Sequence, residues 1–197
     1  MSKMNITKFK LLAFIAFFGI ATMVTAQKSY KLDKTSTFSV AGTSTLHDWE
    51  MTSPSGTEKT TAATGTANLT IADSKLTAIE ALSISLPVEN VKSHKKSMDK
   101  VAYTTLKTDK HPSLKYVLKS AHKVNETTWE LTGTYTIAGT NKVLKTTVKT
   151  TVTKDGLNLQ GSNKITFTEF GMKSPTAMLG TIKTGEDLTV KFNINFN

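Results

Sequence analysis

Apolar side chains recur at every second position along most of the chain. Leu82, Ile84 and Leu86 alternate with serines, and five apolar residues between 188 and 196 alternate with Thr, Lys and Asn. A period of two places alternate side chains on opposite faces of a β-strand. The pattern predicts about eight strands, at 36–42, 45–51, 64–72, 78–87, 114–121, 127–138, 142–154 and 157–168, and a ninth at 187–196.

Short polar turns separate several of these predicted strands. Lys154-Asp155-Gly156 lies between two of them, and Asp-Gly is a strong short-range signal for a hairpin. Residues 138–141 separate another pair, and Thr184-Gly185-Glu186 is interpreted as a turn before the last strand. Neighbouring strands are therefore expected to pair in the antiparallel sense.

One segment departs from the period of two. Between residues 93 and 109 the apolar positions have helical spacing, and lysines fill the opposite face. These apolar positions are Met98, Val101, Ala102 and Leu106. The pattern predicts one amphipathic helix inserted between two strands and laid over a barrel opening, where its apolar face either plugs the opening or touches a ligand.

Strands with one apolar face must bury that face, either in a sandwich or in a closed barrel. Closure removes exposed strand edges, and the last predicted strand is more apolar than an edge strand should be. We therefore expect an all-β fold, an antiparallel β-barrel of about eight strands with one inserted amphipathic helix. The interior of such a barrel is either filled by side chains or holds one slender ligand, and periodicity alone favours the filled interior.

The N-terminal segment has the features of a secretory signal. Lys3, Lys8 and Lys10 precede an apolar run at 11–24, and Val24-Thr25-Ala26 provides the residues that signal peptidase needs. The sequence therefore predicts a cleaved signal peptide at 1–26 and a single domain at 27–197. The mature protein is expected in the periplasm, or secreted beyond it.

Composition excludes several kinds of function. The chain has no cysteine, which rules out thiolate nucleophiles and thiolate metal sites. All 25 basic residues are Lys; three lie in the first ten residues, which leaves 22 against 15 acidic residues, a net charge of +7. Without Arg, the usual reader of phosphate and guanine, we expect no nucleic-acid partner. The lysines are compatible with transient contact at a membrane surface.

Catalytic and metal-binding patterns are also missing from the sequence. The four histidines show no spacing of metal ligands, and there is no nucleophile elbow, phosphate-binding loop or dinucleotide fingerprint. We therefore expect no catalytic residue, no metal and no enzymatic activity. The expected cofactor is none, apart from a bound lipid.

Five groups of residues keep an order and spacing that resemble the YceI family of lipocalin-like, polyisoprenoid-binding bacterial proteins. They are Ser36-Thr37-Phe38-Ser39-Val40 followed by His47; His94-Lys95-Lys96-Ser97-Met98-Asp99; Pro112-Ser113-Leu114-Lys115-Tyr116; Tyr135-Thr136-Ile137-Ala138-Gly139-Thr140-Asn141-Lys142; and Phe170-Gly171-Met172 with Gly185-Glu186-Asp187-Leu188-Thr189-Val190. The resemblance runs from about Tyr30 to Phe196. It implies an exported barrel with a capping helix that binds an isoprenoid chain, the homodimers known in the family, and no established enzymatic activity.

The chain departs from the family pattern at several positions. Ala138 stands where the family often has His, and Val143 stands where it often has Pro. Two Arg positions that are common in the family have no counterpart here, and they are candidates for holding a polar head group. These departures concern the ligand more than the fold.

The inward-facing apolar residues, together with the resemblance, predict a lipid pocket. Its predicted residues are Phe38, Val40, Trp49, Leu82, Ile84, Met98, Val101, Leu114, Tyr116, Leu118, Trp129, Leu131, Tyr135, Phe167, Phe170 and Phe192. Trp129 is open to a second interpretation, plain core packing. The predicted function is an exported protein that holds a long, polyisoprenoid-type lipid inside the barrel. The alternative is a ligand-free periplasmic interaction or stress-related module with a packed barrel.

Overall fold

The computed structural model describes residues 27–197, which form eleven β-strands, one α-helix and two 3-10 turns. The predicted signal peptide at 1–26 lies outside the described residues. The strands are β1 (Lys28–Lys31), β2 (Thr37–Ser44), β3 (Trp49–Ser53), β4 (Thr64–Ala72), β5 (Lys75–Pro87), β6 (Ser113–Asn125), β7 (Thr128–Ile137), β8 (Thr140–Val152), β9 (Leu157–Thr166), β10 (Thr176–Ala177) and β11 (Ile182–Phe196).

A single α-helix, α1 (Lys96–Thr105), follows β5 and a 3-10 turn at Val88–Asn90. The second 3-10 turn, Thr168–Phe170, follows β9. The predicted helix was placed correctly but was too long at both ends, because its lysines continue beyond the hydrogen-bonded turns. Within residues 27–197 no helix is both long and apolar enough to cross a membrane.

All strand pairs are antiparallel, and β4 to β9 pair in chain order before β9 pairs with β11. Strand β1 pairs with β4, while Leu32 just beyond it bridges to Phe196 of β11. Two backbone hydrogen bonds of 2.9 Å, between Lys31 and Asn197, reinforce this junction. Strands β2 and β3 extend the sheet beyond β11. Because the β1 segment contacts both β4 and β11, the sheet curls into a barrel, and the predicted antiparallel β-barrel with an inserted helix is confirmed.

Three details of the strand prediction were incomplete or wrong. Strands β1 and β10 were not predicted, since four and two residues are too few to show a period of two. The predicted turn at Thr184-Gly185-Glu186 is part of β11 instead. The pairing of β11 with β2 shifts register between Thr184 and Leu188, so these residues form a bulge and the chain does not reverse there.

The buried side chains form two clusters. The larger one includes the buried residues Leu69, Leu157 and Phe196 near the junction of β1 with β11, and it extends along the barrel wall to Met51 and Val91. The smaller one, with Phe170 and Leu188, packs at the opposite end beside the second 3-10 turn. The space between these clusters is where a ligand site can lie.

Candidate functional site: the barrel lumen

The barrel encloses a cavity of about 720 Å³ that is open at one end. Inward-facing positions of eight strands (β2, β3, β5 to β9 and β11) build its wall. Helix α1, the β2–β3 loop and the β10–β11 hairpin surround the opening. Leu, Ile, Val, Phe and Met supply most of the lining residues. Pockets of about 300–1,000 Å³ with such linings are typical small-molecule sites.

Two glycines help to keep this lumen wide. Gly161 of β9 pairs with Phe192, and a Cβ on Gly161 would lie 2.6 Å from the Cζ atom of the Phe192 ring. The ring of Tyr116 covers Gly133 of β7 in the same way. Because neither glycine projects a side chain, both aromatic rings can lie against the sheet and leave the centre of the barrel open.

A cluster of three polar side chains interrupts the apolar wall. The hydroxyl oxygens of Tyr135 and Thr146 are 2.8 Å apart, and the Asn163 side-chain amide lies 2.6 Å from the Thr146 oxygen and 3.1 Å from the Tyr135 oxygen. All three residues border the cavity, and Thr146 is buried. We call Tyr135, Thr146 and Asn163 the polar triad.

Tyr116 also belongs to the lumen wall, and its ring meets that of Tyr135 edge to face at a centroid distance of 4.9 Å. Its hydroxyl is buried without a hydrogen-bond partner. Burial raises the pKa of Tyr116, and the neighbouring Tyr135 raises it further. Burial also raises the pKa of Tyr135. Both phenols therefore stay neutral at physiological pH.

Replacement of Tyr116 by Phe is expected to stabilise the protein by on the order of 1 kcal/mol, because it removes a buried hydroxyl that has no partner. Because the pKa of Tyr116 is higher in the folded state than the unfolded value of about 10, the free energy of unfolding is highest below that pH. It falls as the pH rises above it. Tyr116→Phe should weaken this alkaline loss. Urea denaturation at about pH 8 and about pH 11 checks both effects.

The control is Tyr135→Phe, which removes a hydroxyl that has hydrogen-bond partners and should lower stability. If Tyr116→Phe instead destabilised the protein as much as the control does, the Tyr116 hydroxyl would have to be paired in solution.

Helix α1 lies across part of the opening. Met98, Val101 and Ala102 from its apolar face border the cavity, and Lys95 lies at the helix start. None of the helix residues is fully buried. The helix therefore lies over the lumen with its apolar face only partly buried, and contact of that face with a ligand stays a prediction.

The rim opposite the helix carries exposed apolar side chains. Leu179 is fully exposed, Met178 is 74% exposed and Leu46 is 67% exposed. Met178 and Leu179 form the tip of the β10–β11 hairpin, and Leu46 lies in the adjacent β2–β3 loop, whose Thr45 nitrogen donates to the Lys183 oxygen at 2.9 Å. An apolar rim thus borders the entrance of an apolar lumen.

His47 also lies at the mouth, where its Nδ1 is 2.6 Å from the backbone oxygen of Asp48. The two side chains form no hydrogen bond with each other that would resemble a base and its orienting carboxylate. In the part of the chain that the structure describes, no three His, Asp or Glu side chains are grouped as metal ligands would be.

Thirteen of the sixteen predicted pocket residues border the lumen, and three do not. Trp129 is buried in the larger core cluster, as the second interpretation, plain core packing, predicts. Phe170 is buried in the smaller cluster, and Leu118 packs against the larger one. The cavity wall consists in part of the other thirteen: Phe38, Val40, Trp49, Leu82, Ile84, Met98, Val101, Leu114, Tyr116, Leu131, Tyr135, Phe167 and Phe192. That any of the sixteen contacts a lipid stays a prediction.

Several lining residues were missed by the sequence analysis. Leu159 and Asn163 share the parity of Ile165 and Phe167 along the chain, and all four border the lumen. Thr146 likewise shares the parity of Leu144 and Val148. Strand parity was therefore sufficient to find Thr146 and Asn163, but the predicted pocket included only apolar and aromatic residues.

Fold and lumen together define a closed antiparallel barrel with an internal apolar cavity. The YceI-like domain matches residues 30–196, so the chain belongs to the YceI-like family, and the predicted resemblance is confirmed. No curated protein matches the chain.

Solved structures share the fold at low sequence identity. BcnA of Burkholderia cenocepacia superposes with a TM-score of 0.63 at 13% identity, covering 81% of this chain and 94% of BcnA. A polyisoprenoid-binding domain from Saccharophagus degradans, implicated in plant cell wall breakdown, gives 0.60 at 10% identity, with 85% and 97% covered. The Campylobacter jejuni YCEI protein gives 0.54 at 18% identity, with 68% and 81% covered.

Proposed function

We propose that this chain is an exported carrier that holds one long apolar lipid of the polyisoprenoid type inside its barrel. The observation that carries this proposal is the open apolar lumen of about 720 Å³. A chain that buries about 400 Å² of apolar surface there gains on the order of 10 kcal/mol, at about 25 cal/mol per Å². Even after the cost of association, this gain supports binding without any charged anchor.

The type of lipid is supported by the family and by the shape of the site. The Saccharophagus degradans domain of the same fold is a polyisoprenoid-binding domain, and both chains are covered almost in full. A barrel lumen lined by branched and aromatic side chains suits a slender, branched chain. We extend that ligand class to this chain as part of the proposal.

Export and the lack of catalysis belong to the same proposal. A signal peptide at 1–26 would deliver the barrel to the periplasm, where an apolar lipid needs a protein to cross water. The lumen offers no nucleophile paired with a base, since its histidine, His47, contacts a backbone oxygen at the rim. Carriage without chemical change is therefore the activity that this arrangement supports.

Transient contact with a membrane is the third part of the proposal. Leu46, Met178 and Leu179 project from the rim of the lumen into solvent. Lys173 and Lys183 flank the hairpin that carries two of them, which favours approach to anionic head groups. Cargo could then pass between bilayer and barrel through the open end.

The alternative function, a ligand-free interaction module, requires a barrel filled by its own side chains. The hollow lumen favours the carrier instead. Exposed rim residues would still serve protein contacts in such a module, so the two functions differ in whether cargo is present.

Native mass spectrometry of the protein purified from its own host tests the proposal. We expect a stoichiometric adduct with the mass of a long-chain lipid, an N-terminus at Gln27 and uptake of added polyprenyl lipid by the stripped protein. A bare protein mass with no uptake would overturn the carrier function in favour of the interaction module. The same spectra report whether the homodimer implied by the resemblance forms.

A further inference from the structure

Within the polar triad every hydrogen-bond donor is already engaged, while acceptor lone pairs remain free. The Asn163 amide satisfies the most partners when its oxygen faces the hydroxyls of Tyr135 and Thr146 and its nitrogen donates to the backbone oxygens of Ser162 and Lys145, at 3.1 and 3.3 Å. The two hydroxyls then supply the only protons within the triad, and both are used inside it. The Tyr135 oxygen therefore keeps lone pairs that accept no hydrogen bond.

The position of the triad is the middle of the lumen wall. On β9, Asn163 lies between Ile165 towards the mouth and Leu159 towards the closed end, and all three border the cavity. On β7, Tyr135 lies between Ile137 and Leu131 in the same way. A ligand that fills the barrel must therefore pass the triad.

The surroundings of the triad are uncharged. Among the cavity-lining residues only Lys95 and Lys115 carry a full charge, and both belong to the mouth, at the start of α1 and near the start of β6. A carboxylate or phosphate held at mid-wall would lose its water without gaining a cation, which strongly disfavours an anionic group there. A neutral group that donates a hydrogen bond has no such cost.

We propose that the polar triad binds an uncharged hydrogen-bond donor, a hydroxyl or an amide N–H, at the polar end of the carried lipid. Tyr135 accepts this hydrogen bond, and Thr146 and Asn163 hold its phenol in place. The inference rests on the lipid-carrier function and deepens it by naming the head group. Lipids with anionic heads would have to leave that head at the mouth beside Lys95.

The test compares four probes that share one C20 isoprenoid chain: the alcohol, its methyl ether, its phosphate and the parent hydrocarbon. Competition against a fluorescent lipid gives their relative affinities for the full mature protein. We expect the alcohol to bind about tenfold more tightly than the ether, as one hydrogen bond allows. The phosphate should bind more weakly than the alcohol.

Two variants locate the effect. Tyr135→Phe and Thr146→Val should each reduce the preference for alcohol over ether, measured as the ratio of the two affinities on the same variant. Thr150→Val is the matched control, because Thr150 is a buried threonine on the same strand that does not border the lumen. It should leave the preference unchanged.

Equal affinities for alcohol and ether, or a preference that survives both triad variants, would overturn the triad as a head-group site while the carrier function stands. A folded protein that binds none of the four probes would overturn both proposals.

Discussion

Replacement of Phe192 by Glu is expected to abolish lipid uptake, with a loss of affinity of at least about 100-fold. Phe192 borders the lumen, and its ring lies over Gly161. A carboxylate at this position either stays ionised and draws water into the apolar lumen, or it is protonated at a cost. Either cost exceeds the roughly 2.7 kcal/mol that corresponds to 100-fold.

Uptake of a fluorescent polyprenyl lipid measures this effect, and circular dichroism shows whether the barrel remains folded. The control is Asn193→Glu, which adds the same charge to the next residue on the exposed outer face of β11. It should bind lipid normally. Normal uptake by a folded Phe192→Glu protein would show that the lumen is not the binding site. Leu118 is less suitable for this test, because it does not border the lumen.

Alternation of apolar and polar residues predicted most of the barrel because each long strand has one wet face. Leu82, Ile84 and Leu86 point inward from β5 as expected, and each borders the cavity. Closure could be expected in general terms from the apolar last strand. The contact that achieves it, Leu32 with Phe196, joins residues from opposite ends of the chain, and no local pattern encodes such a pair.

Whether the lumen is hollow could not be predicted, since cavity volume depends on how side chains pack across the barrel. Phe192 and Trp129 have the same parity signal in their strands, yet one lines the lumen and the other is buried in the core. The difference is that Phe192 faces Gly161 across the strand pair whereas Trp129 faces Val148. Pairing register, which sequence alone does not give, therefore decides which aromatic residues become wall and which become core.

Replacement of Phe196 by Ala is expected to lower the free energy of unfolding by about 3–5 kcal/mol. The Phe196 side chain is completely buried, and its residue forms the bridge to Leu32 at the closure of the barrel. Truncation leaves a void in the larger core cluster, at the junction that holds β1 to β11. Since domains of this kind are stable by about 5–15 kcal/mol, such a loss is a large part of the total.

Urea denaturation followed by tryptophan fluorescence measures this loss, and Phe38→Ala supplies the comparison. Phe38 is the same residue type in a neighbouring strand, but it is only partly buried and borders the open lumen. Its truncation enlarges an existing cavity and removes fewer contacts, so it should cost clearly less than Phe196→Ala. Equal losses at the two positions would mean that the Phe38 ring is as tightly packed as that of Phe196, and therefore that the lumen is filled in solution. The pair of variants thus tests barrel closure and the hollow lumen together, without reference to any ligand.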